Sequence, residues 1–73
     1  MEQLKTIKEL INQGDVAEAI RQLDEYLITD STDRDEAFYL LGNAYRKQGN
    51  WQLALNNYQY AIDLNPDSPA REA

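Results

Sequence analysis

Small residues at fixed places in a helical pattern constrain this chain more than any other feature. The stretch from Asp35 to Ser68 reads DEAFYLLGNAYRKQGNWQLALNNYQYAIDLNPDS. Phe38, Leu41, Tyr45 and Gln48 recur at a helical period, so one face of the first segment is apolar. Gly42 lies on that face. Glycine costs a helix interior about 1 kcal/mol against alanine, a loss that close approach of a partner helix can offset. Ala54 and Ala61 keep the second segment equally slim. Tyr45 and Tyr58 fill the space the small residues leave. Gln48-Gly49-Asn50 interrupts the two periodic segments. The expectation is a tight antiparallel helix pair with a short turn.

The rest of the chain predicts a second pair before this one. Met1 to Gln13 reads as a helix with Leu4, Ile7, Leu10 and Ile11 on one side. Gly14 ends it, and Asp15 with Glu18 forms a capping-box-like start for the next helix. That helix runs to about Thr29, with Ala19, Leu23, Tyr26 and Leu27 inward and Val16 and Ile20 beside them. Asp30 to Arg34 is a polar connector, in which Asp33 with Glu36 resembles another cap pair. Asn50 caps the fourth helix, which stops before Pro66. Ser68-Pro69 is a fresh start signal, so Ser68 to Ala73 reads as the stub of a fifth helix.

The halves align at an offset of 35: Gly14-Asp15, Ala19, Leu23, Tyr26 and Ser31 against Gly49-Asn50, Ala54, Tyr58, Ala61 and Pro66. In the first helix this offset pairs Ile7 with Gly42 and Leu10 with Tyr45, but Gln3 with Phe38. An offset of 34 pairs Leu4 with Phe38, Ile7 with Leu41 and Ile11 with Tyr45, but sets Lys8 against Gly42. The larger offset leaves the turn unchanged and is preferred. The organisation expected is one domain: repeat one about 1–34, repeat two 35–68 and a stub at 69–73.

Phe38-x2-Leu41-Gly42-x2-Tyr45, then Ala54-x3-Tyr58, then Pro66, resembles the tetratricopeptide repeat, with Phe38 where Trp is commonest and Tyr58 where Phe is. The resemblance implies an all-α chain of two tandem antiparallel helix-turn-helix repeats, a fragment of a right-handed α-solenoid. It further implies a non-enzymatic module that binds a protein or peptide on its concave side, which the first helix of each repeat lines. Carried over position by position, repeat two offers Glu36, Tyr39, Asn43, Arg46 and Lys47 to that side, and repeat one offers Leu4, Lys8, Ile11 and Asn12. Some members grip a terminal carboxylate with a clamp spread over three repeats. Asn43 matches one clamp position, but Lys8 stands where an Asn belongs and the third repeat's Lys and Arg have no counterpart. No chaperone-tail binding is expected. With Lys5, Lys8, Arg46 and Lys47 all on first helices, an acidic partner is.

Composition narrows the rest. The 73 residues contain neither Cys nor His, which removes thiolate chemistry and the usual proton shuttle and transition-metal ligand. A net charge of −6 argues against nucleic acid and anionic membrane surfaces. No apolar run reaches the length of a membrane span, and a cytoplasmic chain without a cofactor is expected. Asp63-x-Asn65-x-Asp67 opens like a calcium loop, but Ser68-Pro69 follows where Gly is needed. The carboxylate pairs at Asp24-Glu25 and Asp35-Glu36 read as solvated surface rather than an acid–base site. Gln48 to Ile62 carries no charge at all. Trp51, Leu55 and Ile62, with Tyr60 at the edge, suggest a stripe that a following helix would cover. Self-association through it, giving a homodimer, is one alternative function, and service as a structural piece of a longer solenoid is another.

Overall fold

In the computed structural model, residues 2–29 and 32–72 are described. Met1, Asp30, Ser31 and Ala73, which belong to the expected first helix, connector and stub, lie outside the described residues. The order is α1 (Glu2–Gln13), α2 (Val16–Thr29), α3 (Arg34–Lys47), α4 (Trp51–Leu64) and a 3-10 turn (Pro69–Glu72). The helices pack as two pairs, α1 with α2 and α3 with α4, and α3 also contacts α1 and α2.

Both pairs turn in the same way. Gly14 has φ +93° and Gly49 φ +78°, left-handed values that suit a residue without Cβ. The N–H of Asp15 donates to the Leu10 carbonyl and that of Asn50 to the Tyr45 carbonyl, each at 2.9 Å. Gly14 N–H donates to Ile11 and Gly49 N–H to Arg46. Each set is the double bond pattern of a Schellman ending. Every participant is repeated 35 residues later, so the 35-residue register holds through the turn.

The packing that buries each helix follows its small and branched residues. Leu4, Ile7 and Ile11 of α1 and Ala19, Leu23 and Tyr26 of α2 are buried, at the i, i+3, i+4 and i+7 spacings of a core face. Helix α3 is buried on two sides. Ala37, Leu40, Leu41 and Ala44 join the core made with α1 and α2. Gly42 lies under Tyr58, so close that a Cβ there would collide with ring atoms Cδ1 and Cε1. Phe38 and Tyr45, expected on the apolar face, are half-buried at its margin. A second cluster, Ala54, Tyr58, Ala61 and Ala70, seals the other side of α3.

The caps divide. Asn50 behaves as expected, its side chain accepting the Leu53 N–H at 3.3 Å. Asp33 does not: it has φ +52° and makes no side-chain cap bond. The connector is fixed instead by Tyr26, whose hydroxyl donates to the Thr32 carbonyl at 2.8 Å, and by Arg34, which donates to the Leu27 carbonyl at 2.8 Å. Glu18 accepts from Arg21 and Gln22 rather than serving a cap box, and these bonds hold its carboxyl at about 2. Helix α4 ends at Asn65, which is extended before Pro66. Asn65 then carries a turn: its amide donates to Asp35 at 3.0 Å and its side-chain oxygen accepts the Asp67 N–H.

The stub begins as expected and then differs. Ser68 Oγ accepts the Ala70 N–H at 3.2 Å, but Arg71 N–H bonds to the Ser68 carbonyl and the segment is a 3-10 turn. Four residues supply too few propagating bonds to repay α-helix nucleation. Ala70, 4% exposed, nonetheless packs against α4.

Candidate partner-binding groove

Glu36, Leu40, Asn43 and Lys47 lie at i, i+4, i+7 and i+11 on α3 and share one stripe. Lys8 and Asn12 of α1 face the same space. Two adjoining depressions follow the stripe, and both include Lys8 and Leu40. One, of about 100 Å³, is bordered by Lys8, Asn12, Asn43, Arg46 and Lys47 over Ile11 and Leu40. The other, of about 370 Å³, is bordered by Lys8, Asp35, Glu36, Tyr39 and the residues around Ser68. Together they make one open trough between α1 and α3.

The trough has ordered walls. Tyr58 donates its hydroxyl to Asn43 Oδ1 at 2.5 Å. That bond engages the oxygen and leaves Asn43 Nδ2 as a donor. Tyr39 and Tyr58 rings lie 6.1 Å apart. Burial pushes the Tyr58 phenol above the ordinary tyrosine range, with Arg46 opposing the shift and Tyr39 adding to it. The only ion pairs among the described residues run from Arg21 to Glu18 and Glu25. Lys8, Arg46 and Lys47 thus keep their charges for the trough.

Of the residues read from the sequence, Lys8, Tyr39, Asn43, Arg46 and Lys47 come together here. Leu4, 1% exposed, does not offer surface, and Ile11, 3% exposed, reaches the trough only as part of the floor it shares with Leu40. At the 35-residue register they correspond to Tyr39 and Arg46, but α1 is flanked by both α2 and α3, and that packing buries them. Sequence reasoning missed Leu40, the trough's floor, whose signal was its place four residues beyond Glu36. It also missed the junction of Asp35 with Asn65, a contact across thirty positions for which the local pattern holds no sign.

On α4, Trp51 and Leu55 are 60% and 61% exposed, while Ile62 packs against the cluster that includes Ala70. Tyr60 does not belong to their stripe. It is five residues from Leu55, about 140° around a helix of 3.6 residues per turn. On that opposite flank it meets Phe38, ring centroids 5.3 Å apart, and the Arg34 guanidinium lies 5.7 Å from the Phe38 ring centre.

Two antiparallel pairs with a shared register and an open trough along their first helices define a helical-repeat module. Residues 35–68 are a tetratricopeptide repeat, matched by that family's model. The solution NMR structure of Bacteroides fragilis protein BF1650 is similar to the chain, with a TM-score of 0.92 and 67% identity, over 99% of this chain and 73% of that one. Among curated proteins the chain is similar to the photosystem I assembly protein Ycf3 of Synechococcus sp. (strain CC9902), 41% identical over 61 residues. The Ycf3 of Prochlorococcus marinus (strain MIT 9303) is 36% identical over 61 residues. Each match covers 81% of this chain and 35% of the relative, so the chain spans about a third of the length of the curated relatives it matches. No helix among the described residues is long and apolar enough to cross a membrane.

Proposed function

We propose that this chain is a non-enzymatic protein-interaction module that holds a partner segment in the trough between α1 and α3. The observation that carries the reading is the convergence of Lys8, Asn43, Arg46 and Lys47 on one depression, which presents cations and an amide donor to an incoming acidic group. Tyr39 supplies apolar surface beside them. The Ycf3 relatives are named for assembly of photosystem I; the part of that role proposed for this chain is the holding of a protein partner.

Selection from an unbiased peptide display library tests the reading. The best binders should carry acidic groups, lose affinity in a Lys8→Glu/Lys47→Glu variant and weaken with salt, since exposed charges are screened beyond roughly 8–10 Å at 0.1–0.15 M. Selection of wholly basic peptides, or affinity indifferent to salt, would sink it. A second reading, self-association through α4, rests on the exposure of Trp51 and Leu55 on a helix without charge from Gln48 to Ile62.

A further inference from the structure

The trough is not uniformly basic. Arg46 and Lys47 stand at its end by the α3 C-terminus, and Asp35 and Glu36 at its end by the α3 N-terminus. Lys8 lies between them and borders both depressions. The arrangement suits the α3 macrodipole, which favours carboxylates at the first turn and cations at the last. That accounts for the order of charges along the helix. It leaves open what they do to a ligand, because Glu36 and Lys47 share the stripe that faces the trough and are both exposed. Asp35 is half-buried and accepts from Asn65, which fixes its carboxylate at the trough's edge.

We propose that the trough selects a dipolar segment, with an acidic side chain over Lys47 and Arg46 and a basic side chain over Glu36 and Asp35. The proposal rests on the groove reading above and narrows it: a purely acidic segment would meet repulsion at one end. The spacing follows from helix geometry. Eleven residues separate Glu36 from Lys47, about 16 Å at 1.5 Å per residue. An extended chain advances roughly 3.3 Å per residue, so the two charges of the ligand stand about five residues apart. The order of the two charges also sets which way the segment runs along α3, because the reversed placement opposes like charges at both ends.

Blocked peptides of about six residues, with an apolar middle and ends Glu/Lys, Glu/Glu or Lys/Lys, test this on the intact chain by NMR titration. The Glu/Lys peptide should bind about three- to tenfold more tightly than Glu/Glu, the range that one exposed ion pair exchanged for a repulsion supports. In a Glu36→Lys variant, whose unchanged circular dichroism shows that it folds, the preference should invert toward Glu/Glu. If groove resonances shift but Glu/Glu binds the native chain as well as Glu/Lys, the dipolar proposal falls and the groove reading stands; if Lys/Lys binds as well as Glu/Lys, both fall. If no peptide shifts the resonances of Lys8, Asn43 or Lys47, both fall.

Discussion

At the scale of single residues, Gly42 and Tyr58 decide how near α3 and α4 approach. A methyl group on Gly42 would overlap the Tyr58 ring, and that ring cannot swing away without losing its bond to Asn43. Gly42→Leu is therefore expected to destabilise the fold by about 1–3 kcal/mol or more. Urea denaturation of the two proteins measures it, and an unchanged midpoint would show that the close approach is not stabilising. Two partly or fully covered phenols make a second prediction. Burial raises both Tyr45 and Tyr58, Asp24 adding to the shift of the former. A raised folded value means that the neutral form is favoured in the native state. The associated stability is fully present below the unfolded tyrosine value of 10.0 and is lost as pH rises through the folded values. The melting temperature should fall across that alkaline window. The ring resonances of Tyr45 and Tyr58 should titrate above the ordinary tyrosine range, and titration of both within it would refute the assignment.

Among the elements, the caps separate what a sequence discloses from what it cannot. Asn50 and Asp33 look alike on paper, each a polar residue before a periodic run. Asn50 makes its cap bond, so Asn50→Ala should cost about 1 kcal/mol. Asp33 sits at φ +52° without one, so Asp33→Gly should be neutral or stabilising by up to about 1 kcal/mol, because left-handed backbone penalises a Cβ. Thermal melts of both variants check the contrast, and equal losses would contradict it. The turns were legible because Gly14 and Gly49 satisfy a local rule of backbone geometry. The small-residue face was legible because Gly42, Ala54 and Ala61 fall at helical spacings among bulky apolar side chains. Asp33 was not, since its conformation is imposed by Tyr26 and Arg34 bonding across the connector. Nor was the burial of Leu4 and Ile11: an apolar residue on a first helix reads the same whether it lines a groove or lies beneath the next pair. Tyr60 was misplaced for a simpler reason, the five-residue step that carries it to the other flank of α4.

Across the whole molecule, the two ends are unlike, and the difference sets how copies should meet. The outward positions of α1 include Gln3, Lys5, Thr6, Glu9 and Gln13, and α2 exposes Arg21, Asp24 and Glu25. The opposite end presents Trp51 and Leu55 on α4, with Asp63 the only charged residue of that helix. Head-to-tail stacking would bury the charged surface of α1 and α2 against that apolar flank, at a desolvation cost. A contact of α4 with α4 avoids this, brings no like charges together over Gln48 to Ile62, and closes as a two-fold dimer. The 3-10 turn already occupies the Ala70 side of α4 and half-covers Ile62, which leaves Trp51 and Leu55 as the principal contacts. Full burial of such a side chain is worth about 1.5–3 kcal/mol. Trp51 and Leu55 are already partly covered, so four of them across two copies supply roughly 5 kcal/mol. That only matches the low end of the association cost, about 4–15 kcal/mol. Gain and cost nearly cancel, so the expected dimer is very weak, with Kd on the order of 10⁻² M or above. Multi-angle light scattering over a concentration series should show an average mass that rises above one chain near the top of the range. Leu55→Glu should hold it at one chain while leaving the circular dichroism unchanged. A flat monomer mass for the native chain to about 5 mM, or a Leu55→Glu variant that associates as before, would exclude the α4 contact.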